Sequence, residues 1–373
     1  VFLRSLILSN FKNYQRQAFE FSPQLNCLVG LNGVGKTNVL DAVHFLCLCK
    51  SHSGLNDRNL VRHGADFFRI EGRFGLAEGG SAKVTAKYQG GQRKEIEKNG
   101  VVFDRLSDYI GQSPVVMIAP DDVALVQDGS EDRRRFLDAT LSQISSEYLQ
   151  SLLVYNALLK QRNALLKSFF ELRRFDADLL ESLDRQMLKP AELIYAQRSA
   201  FVAEFRPLLE SYYSAISGSK EEVSIAHDAD MEGMPFSELL ARAQEKDRLL
   251  QRSTVGPHRD DLVLEMDGQA LKKFASQGQL KSFLLAMRLA QYELLRNAKG
   301  VSPILLLDDI FDKLDAQRVS HLVGLLLSRS FGQIFITDTQ RERLESILVS
   351  FAVSYKVFEV QKGKSGEPEV QDN

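Results

Sequence analysis

No apolar run in this 373-residue chain approaches the roughly 18 residues that would suggest a membrane-spanning helix. The opening stretch, Val1 to Leu8, is apolar but short. Arg4 interrupts it and no small-residue cleavage site follows, so it reads as a strand and not as a secretory signal. Because the chain opens at Val, an initiator methionine is expected ahead of it. Cysteine is scarce: Cys27, Cys47 and Cys49 form no disulfide framework, which points to a reducing compartment and a cytoplasmic location. Cys47-Leu48-Cys49 has no second Cys or His pair near it, so these are expected to be buried thiols on a core helix rather than half of a metal site. Charge of one sign is also lacking. With 47 basic and 49 acidic residues the net charge is −2, which excludes a constitutively basic nucleic-acid binder and leaves room for a local basic surface. Internal repeats and low-complexity segments are absent, and only Gly363 to Asn373 reads as a polar, disordered tail.

What is present is ordinary globular composition, 44% hydrophobic and 26% charged, with length for two or three domains or one large domain carrying an insertion. The strongest local signal is Gly30-Leu31-Asn32-Gly33-Val34-Gly35-Lys36-Thr37, a match to the phosphate-binding loop G-x-x-x-x-G-K-[ST]. An apolar run, Gln24 to Val29, precedes it, and Asn38 to Phe45 continues with helical spacing of apolar residues. Strand, glycine loop and helix together aim backbone N–H groups and a helix N-terminus at one place, which holds negative charge. Lys36 adds a full positive charge for nucleotide phosphates, and Thr37 offers a hydroxyl to Mg2+.

Residues 1–30 read as strands, and alternation with Gly-Gly and Asn-Gly turns makes 67–103 an antiparallel meander. From about Asp132 to Leu250 the pattern is mostly helical. Leu152, Tyr155, Leu159, Leu166 and Phe170 form one stripe, and Ile194, Phe201, Phe205, Leu208 and Tyr212 another. Two such stripes predict a short antiparallel hairpin, with Pro190 kinking or beginning a helix. Arg133-Arg134-Arg135 near its start is a candidate for DNA phosphate contact, with a solvated helix face or pairing to a carboxylate as the alternatives. The domain boundaries expected are 1–128, 129–250 and 251–362, the first and third being halves of one nucleotide domain split by the helical lobe, with 363–373 as the tail.

The second half of the nucleotide site lies near the C-terminus. Ile304 to Leu307 is wholly apolar, a strand buried on both faces, and it runs into Asp308 and Asp309. The carboxyl end of such a strand is where open α/β sheets place their sites. Asp308 suits Mg2+ bound to phosphates, and Asp309 can orient or deprotonate an attacking water, so Lys36, Asp308 and Asp309 are the candidate catalytic residues. Ala275-Ser276-Gln277-Gly278-Gln279 before a long helix offers a hydroxyl, a Gly N–H and a helix N-terminus. Beside the other motifs, Ser276 to Gln279 looks like the signature loop of ABC ATPases, which completes the ATP site of a second subunit. Ile310 to Asp315 resembles that superfamily's D-loop, and Thr337-Asp338 stands where its switch residue follows a strand.

Several runs together carry a more specific match. Asn10-Phe11-Lys12-Asn13-Tyr14, the phosphate loop with Asn38, Asp132 to Asp138, Gly256-Pro257-His258-Arg259-Asp260-Asp261, Ser276 to Gln279 and Leu306 to Phe311 occur in order and with suitable spacing. This set resembles the RecF family of bacterial recombination mediators over nearly the whole chain. The resemblance implies an α/β fold, an ABC-ATPase head-like P-loop domain with a mixed sheet and antiparallel meander, split by a mostly helical lobe. It implies ATP and Mg2+ as cofactors, Gly30 to Asn38 as the nucleotide loop, and Thr37 with Asp308 on the metal. It further implies a slow, DNA-dependent ATPase. An ATP-held homodimer would clamp DNA at single-strand–duplex junctions, working with a RecR-like mediator and a RecA-like recombinase in the bacterial cytoplasm, at the nucleoid. The signature loop has Gln277 where transporters carry Gly, the second acid is Asp309 rather than Glu, and no Q-loop glutamine stands near Ile118 to Asp122. The residues alone give Gly256 to Asp261 no function beyond a charge-paired turn or a His-Asp metal site. A transporter ATPase subunit and a structural chromosome tether are the alternatives. The first would lack the long helical insertion, and the second would need hundreds of residues of coiled coil.

Overall fold

The alternating N-terminal third forms strands whose two faces meet different surroundings, and the apolar runs near both ends of the chain form strands covered on both sides. A computed structural model describes all residues except 77–78, 219–220, 312–315, 329–330, 349–353, 363–367 and 373. In chain order the first elements are β1 (Phe2–Phe11), β2 (Tyr14–Glu20), β3 (Leu25–Val29), α1 (Lys36–Leu48), β4 (Phe67–Gly75), β5 (Ser81–Gln89), β6 (Glu95–Lys98), β7 (Val101–Val102) and β8 (Val115–Ile118). The middle holds α2 (Ala124–Gln127), α3 (Ser130–Ile144), α4 (Ser146–Leu172), α5 (Ala177–Ser217), β9 (Val223–Asp228), α6 (Phe236–Leu250), β10 (Asp261–Met266), β11 (Gln269–Ala270), α7 (Leu271–Phe274) and α8 (Gln277–Lys299). The last elements are β12 (Ile304–Leu307), α9 (Ala316–Ser328), β13 (Ile334–Asp338), α10 (Arg341–Leu348), β14 (Tyr355–Lys362) and β15 (Pro368–Asp372). No helix among the described residues is long and apolar enough to cross a membrane.

The chain divides into two compact units, one of residues 1–122, 212–218 and 281–373, the other of 123–211 and 219–280. The first unit has two six-stranded sheets. One is antiparallel in the order β2-β1-β4-β5-β6-β7; the other has the order β15-β14-β3-β13-β12-β8 and is parallel from β14 to β8. Every residue of β3, β8, β12 and β13 is buried, as a parallel sheet covered on both faces requires. Helix α1 touches β1, β4 and β5 of one sheet and β8 and β13 of the other. It therefore buries eleven of its thirteen residues and is apolar nearly all round. Cys27, Cys47 and Cys49 are free thiols in this core, and burial pushes Cys27 and Cys49 up to about 12.

In the second unit α4 and α5 run antiparallel. Arg162 meets Asp184 near one end of the pair and Tyr148 meets Arg198 near the other. The buried face of α4 is Tyr148, Leu149, Tyr155, Leu158, Arg162 and Leu166. The stripe expected from sequence is thus rotated, leaving Phe170 61% exposed and admitting an arginine. Pro190 neither begins nor ends a helix; with Pro207 it lies inside the continuous 41-residue α5.

Three further expectations give way. Val223–Asp228, within the span read as helical, is a strand that pairs antiparallel with β10. That pairing carries β10, β11 and Ser276 into the helical unit, so the nucleotide unit resumes at Lys281 and not at 251. Pro368–Asp372, read as part of a disordered tail, pairs with β14 through the alternation of Glu369, Val370 and Gln371.

Candidate nucleotide site

Parallel register brings the carboxyl ends of three strands level. Val29 stands opposite Asp338, Leu28 opposite Thr337, and Leu307 opposite Ile336, so Gly30, Thr337 and Asp308 emerge side by side. Gly30 N–H donates to the Asp338 carbonyl at 3.2 Å. A Cβ on Gly30 would lie 2.1 Å from the Val360 carbonyl oxygen, so only glycine lets the loop leave between β3 and β14. Gly35 has φ 122° and sits against Asn13 and Tyr14, where a Cβ would meet Asn13 Nδ2 at 2.8 Å. Those two residues follow the β1 turn and brace the loop. Asn13 Nδ2 donates to the Val34 carbonyl (3.1 Å), Tyr14 OH donates to the Gly35 carbonyl (3.2 Å), and Asn38 Nδ2 donates to Asn13 Oδ1 (2.7 Å). Lys36 folds over the loop, and its Nζ donates to the carbonyls of Gly30 (2.8 Å) and Leu31 (3.1 Å), 4.0 Å from Asp309.

The acids close the other side. Thr37 Oγ1 lies 2.9 and 3.0 Å from the two carboxylate oxygens of Asp308, across 271 residues of sequence. Thr337 Oγ1 donates to Asp308 Oδ1 (2.8 Å) and accepts from the Asp309 N–H (2.9 Å), so one hydroxyl sets both acids. Asp309 has φ 44°, a left-handed backbone that an L-residue adopts at a cost. Burial raises the Asp308 pKa, the Asp309 charge adds to that, and the two threonine hydroxyls oppose it. An open depression of about 110 Å3 lies over this cluster, lined by Asn32, Gly33, Gly35 to Asn38 and Asp309. No group of three or more His, Cys, Asp or Glu able to hold a metal occurs among the described residues. The oxygens of Thr37 and Asp308 nonetheless fit Mg2+, which takes one or two carboxylates and keeps its other positions for phosphate and water.

Not every candidate joins this cluster. Asp338 turns to Arg343, which donates to it at 2.9 Å through Nε and 2.5 Å through Nη2. Ser276 and Gln279 belong to the second unit, where they form a reciprocal cap. Ser276 N–H donates to Gln279 Oε1 (2.7 Å) and Gln279 N–H to Ser276 Oγ (3.2 Å), with Ser276 and Gln277 exposed and Gly278 half-buried. Asp312 to Asp315 of the expected D-loop lie outside the described residues.

Two of the three arginines in the run meet groups within the chain. Arg133 makes a fork to Asp261 (2.6 and 2.9 Å), and Arg134 donates to the Asp260 carbonyl (2.7 Å). Only Arg135 faces solvent, 67% exposed and paired with Glu131 and Asp132. The carboxylate alternative therefore holds for Arg133, because a half-buried acid draws a cation to it. The Gly256 to Asp261 run has its account here too. Asp260 is buried and shared by Arg198 (2.7 Å) and His227 (3.1 Å), and His258 donates from Nε2 to the Ser253 carbonyl (3.2 Å) while its Nδ1 lies 2.7 Å from the Tyr155 hydroxyl. The segment is an internal charge-paired hub.

The family model described as "RecF/RecN/SMC N terminal domain" matches residues 2–366. The DNA replication and repair protein RecF of Phocaeicola vulgatus is 42% identical over 366 residues, 98% of either chain. The chain belongs to the RecF family. A solved structure described as the recombination mediator protein RecF with ATP in the RecFOR pathway superposes with TM-score 0.88 at 27% identity, covering 100% of this chain and 97% of that one. An Smc head domain from Pyrococcus furiosus shares the fold at TM-score 0.58 and 16% identity, over 100% and 96% of the two chains. RecF-family relatives are named DNA replication and repair proteins, and the fold is the ATPase head that RecF shares with Smc. Within this RecF-family chain, sequence reading singled out the letters of the phosphate loop but not its braces. Asn13 and Tyr14 stood in the Asn10 to Tyr14 run that carries the family resemblance, and only the fold of β1 and β2 against the loop reveals what they hold.

Proposed function

We propose that the chain binds ATP with Mg2+ at Gly30 to Asn38 and hydrolyses it slowly, in a DNA-dependent manner, as a switch on DNA binding. The observation that carries this reading is the convergence of Thr37 and Asp308, because an accidental glycine loop would not find a buried carboxylate from the far end of the chain. Thr37 and Asp308 would hold Mg2+, which supplies positive charge to the phosphates. Lys36 exchanges its carbonyl partners for phosphate oxygens, a charge-assisted contact in place of two neutral ones. Asp309 orients the attacking water, and the Thr337 hydroxyl keeps both acids in place.

Ser276 to Gln279 of a second copy caps the same phosphates, so two ATP molecules hold a homodimer that clamps DNA at single-strand–duplex junctions until hydrolysis frees it. Ser276 is suited to this because it is exposed at the start of the 23-residue α8, whose N-terminus favours anions. A RecR-like mediator and a RecA-like recombinase are the partners of this reading, in the cytoplasm at the nucleoid. Arg135 remains as one candidate cation toward DNA.

Two experiments test it. Gel filtration with ATP and Mg2+ should show a dimer that Ser276→Arg abolishes while monomer nucleotide binding persists. A wild-type chain that stays monomeric with ATP and gains no affinity for gapped DNA across a salt series would sink the clamp. Gly35→Ala should weaken ATP binding about tenfold or more, the strain of placing a Cβ at a positive φ next to Asn13. Titration with a fluorescent ATP analogue reads this, and circular dichroism should stay unchanged.

A further inference from the structure

Two large apolar side chains stand exposed on the two segments that the dimer reading brings together between copies. Leu31, inside the phosphate loop, is 75% exposed, and Phe274, two residues before Ser276, is 64% exposed. Helix α7 explains how Phe274 is presented. Leu271 is buried and anchors the turn, Lys272, Lys273 and Phe274 all project into solvent, and Ala275 is extended (φ −70°, ψ 133°) before Ser276 caps α8. Two residues of chain place Phe274 within about 7 Å of Ser276 along the backbone. Any surface that receives Ser276 therefore receives Phe274 beside it.

The phosphate loop has a matching hollow. Beside it opens a cavity of about 460 Å3, lined by the apolar Val29, Leu31, Val34 and Val360 together with Thr339, Arg341, Glu359 and Gln361. Gly30 lets the loop lie close against the Val360 carbonyl at the end of β14. A single exposed apolar residue on a surface needs no explanation. Here an aromatic knob adjoins one half of the expected composite site, and an apolar hollow adjoins the other half. Glu359 on the rim is paired with Arg341 at 3.4 Å, so the match between knob and hollow is one of apolar surface and position. In a two-fold dimer each copy carries both parts, and the contact forms twice.

We propose that Phe274 of one copy seats in this cavity of the other, against Leu31, and anchors the ATP-bridged dimer. The proposal rests on the dimer reading above and adds the residue that supplies its apolar contact. ATP alone would bridge the copies through polar groups that water also satisfies. A buried aromatic side chain gives the closed state an attraction that water does not offer.

The test uses the full-length chain with ATP and Mg2+. Sedimentation velocity should show Phe274→Ser weakening the dimer about tenfold or more, the range of a central aromatic anchor, with Phe274→Leu retaining most of the affinity. Nucleotide binding measured well below the dimerisation range serves as the folding control. Benzoylphenylalanine incorporated at position 274 should photo-cross-link, only when ATP is present, to the 29–34 or 359–361 stretch of the other copy. A wild-type dimer that Phe274→Ser leaves untouched overturns the anchor and leaves the dimer reading standing. Cross-links that fall elsewhere, or on the nucleotide, do the same. A wild-type chain that never dimerises overturns both.

Discussion

Asp308→Asn is expected to reduce ATP turnover about a hundred- to a thousandfold while nucleotide binding remains measurable. The amide keeps the shape of the carboxylate and can still accept from one threonine hydroxyl, so the loop and β12 should hold their places. What it loses is charge. Thr37 and Thr337 both donate toward Asp308, which is buried at the end of a strand. Removing one preorganised electrostatic element of this kind costs about two to three orders of magnitude in turnover. Steady-state phosphate release gives the rate, and equilibrium titration gives the binding. The site assignment is wrong if Asp308→Asn turns over ATP within a factor of a few of wild type.

Arg198→Met is expected to destabilise the helical unit by about 3–5 kcal/mol, the cost of stripping one partner from a buried ion pair. Arg198 is 1% exposed, and its guanidinium reaches Asp138 (2.8 Å), Asp260 (2.7 Å), the Pro257 carbonyl (2.6 Å) and the Tyr148 hydroxyl (3.0 Å). Asp260 already carries one buried oxygen, Oδ1, with no partner. Without Arg198 it would keep His227 as its side-chain partner, and the turn from Gly256 to Asp261 would lose its centre. The double variant Arg198→Met with Asp260→Asn should recover part of the loss, because it removes the orphaned charge as well. Urea unfolding of the two variants against wild type measures both effects. A loss under about 1 kcal/mol for the single variant would mean that water reaches the hub, and the ion pair would then be worth what a surface pair is worth.

The nucleotide cluster was legible because its chemistry is written in short, contiguous runs. Gly30 to Thr37 and the passage from Leu307 into Asp308 each carry their strand or helix context within a few residues, and parallel pairing does the rest. The hub around Arg198 was not legible for the opposite reason. Arg162 and Arg198 occupy core positions on helices whose polar residues otherwise mark solvent, and a pattern of periodicity assigns any arginine to the outer face. Their partners lie 22 to 91 residues away for Arg162 and 50 to 62 for Arg198. For Arg133 the sequence left phosphate contact, a solvated face and a carboxylate partner side by side, because Asp261, 128 residues on, is not visible from the run itself. β9 went unnoticed because six residues of alternation, Val223 to Asp228, sit between two helices and find their pairing partner only after Gly256. Moving that strand moved the domain boundary with it.

The strand that carries the phosphate loop has neighbours that are made last. β3 lies between β13 and β14, and among the described residues β8 pairs only with β12, so each waits on residues from Ile304 onward. During synthesis the antiparallel sheet can form early from adjacent hairpins and cover one side of α1, while β3 stays without its parallel partners until nearly the whole chain has emerged. The nascent protein therefore exposes a sticky segment for most of its translation and is expected to depend on chaperones in that interval. The same order acts as a check on completeness. A product of a premature stop before Ile304 has the loop's letters but neither Asp308 nor β12, β13 and β14 beside β3, and it is expected not to retain ATP in a filter-binding assay.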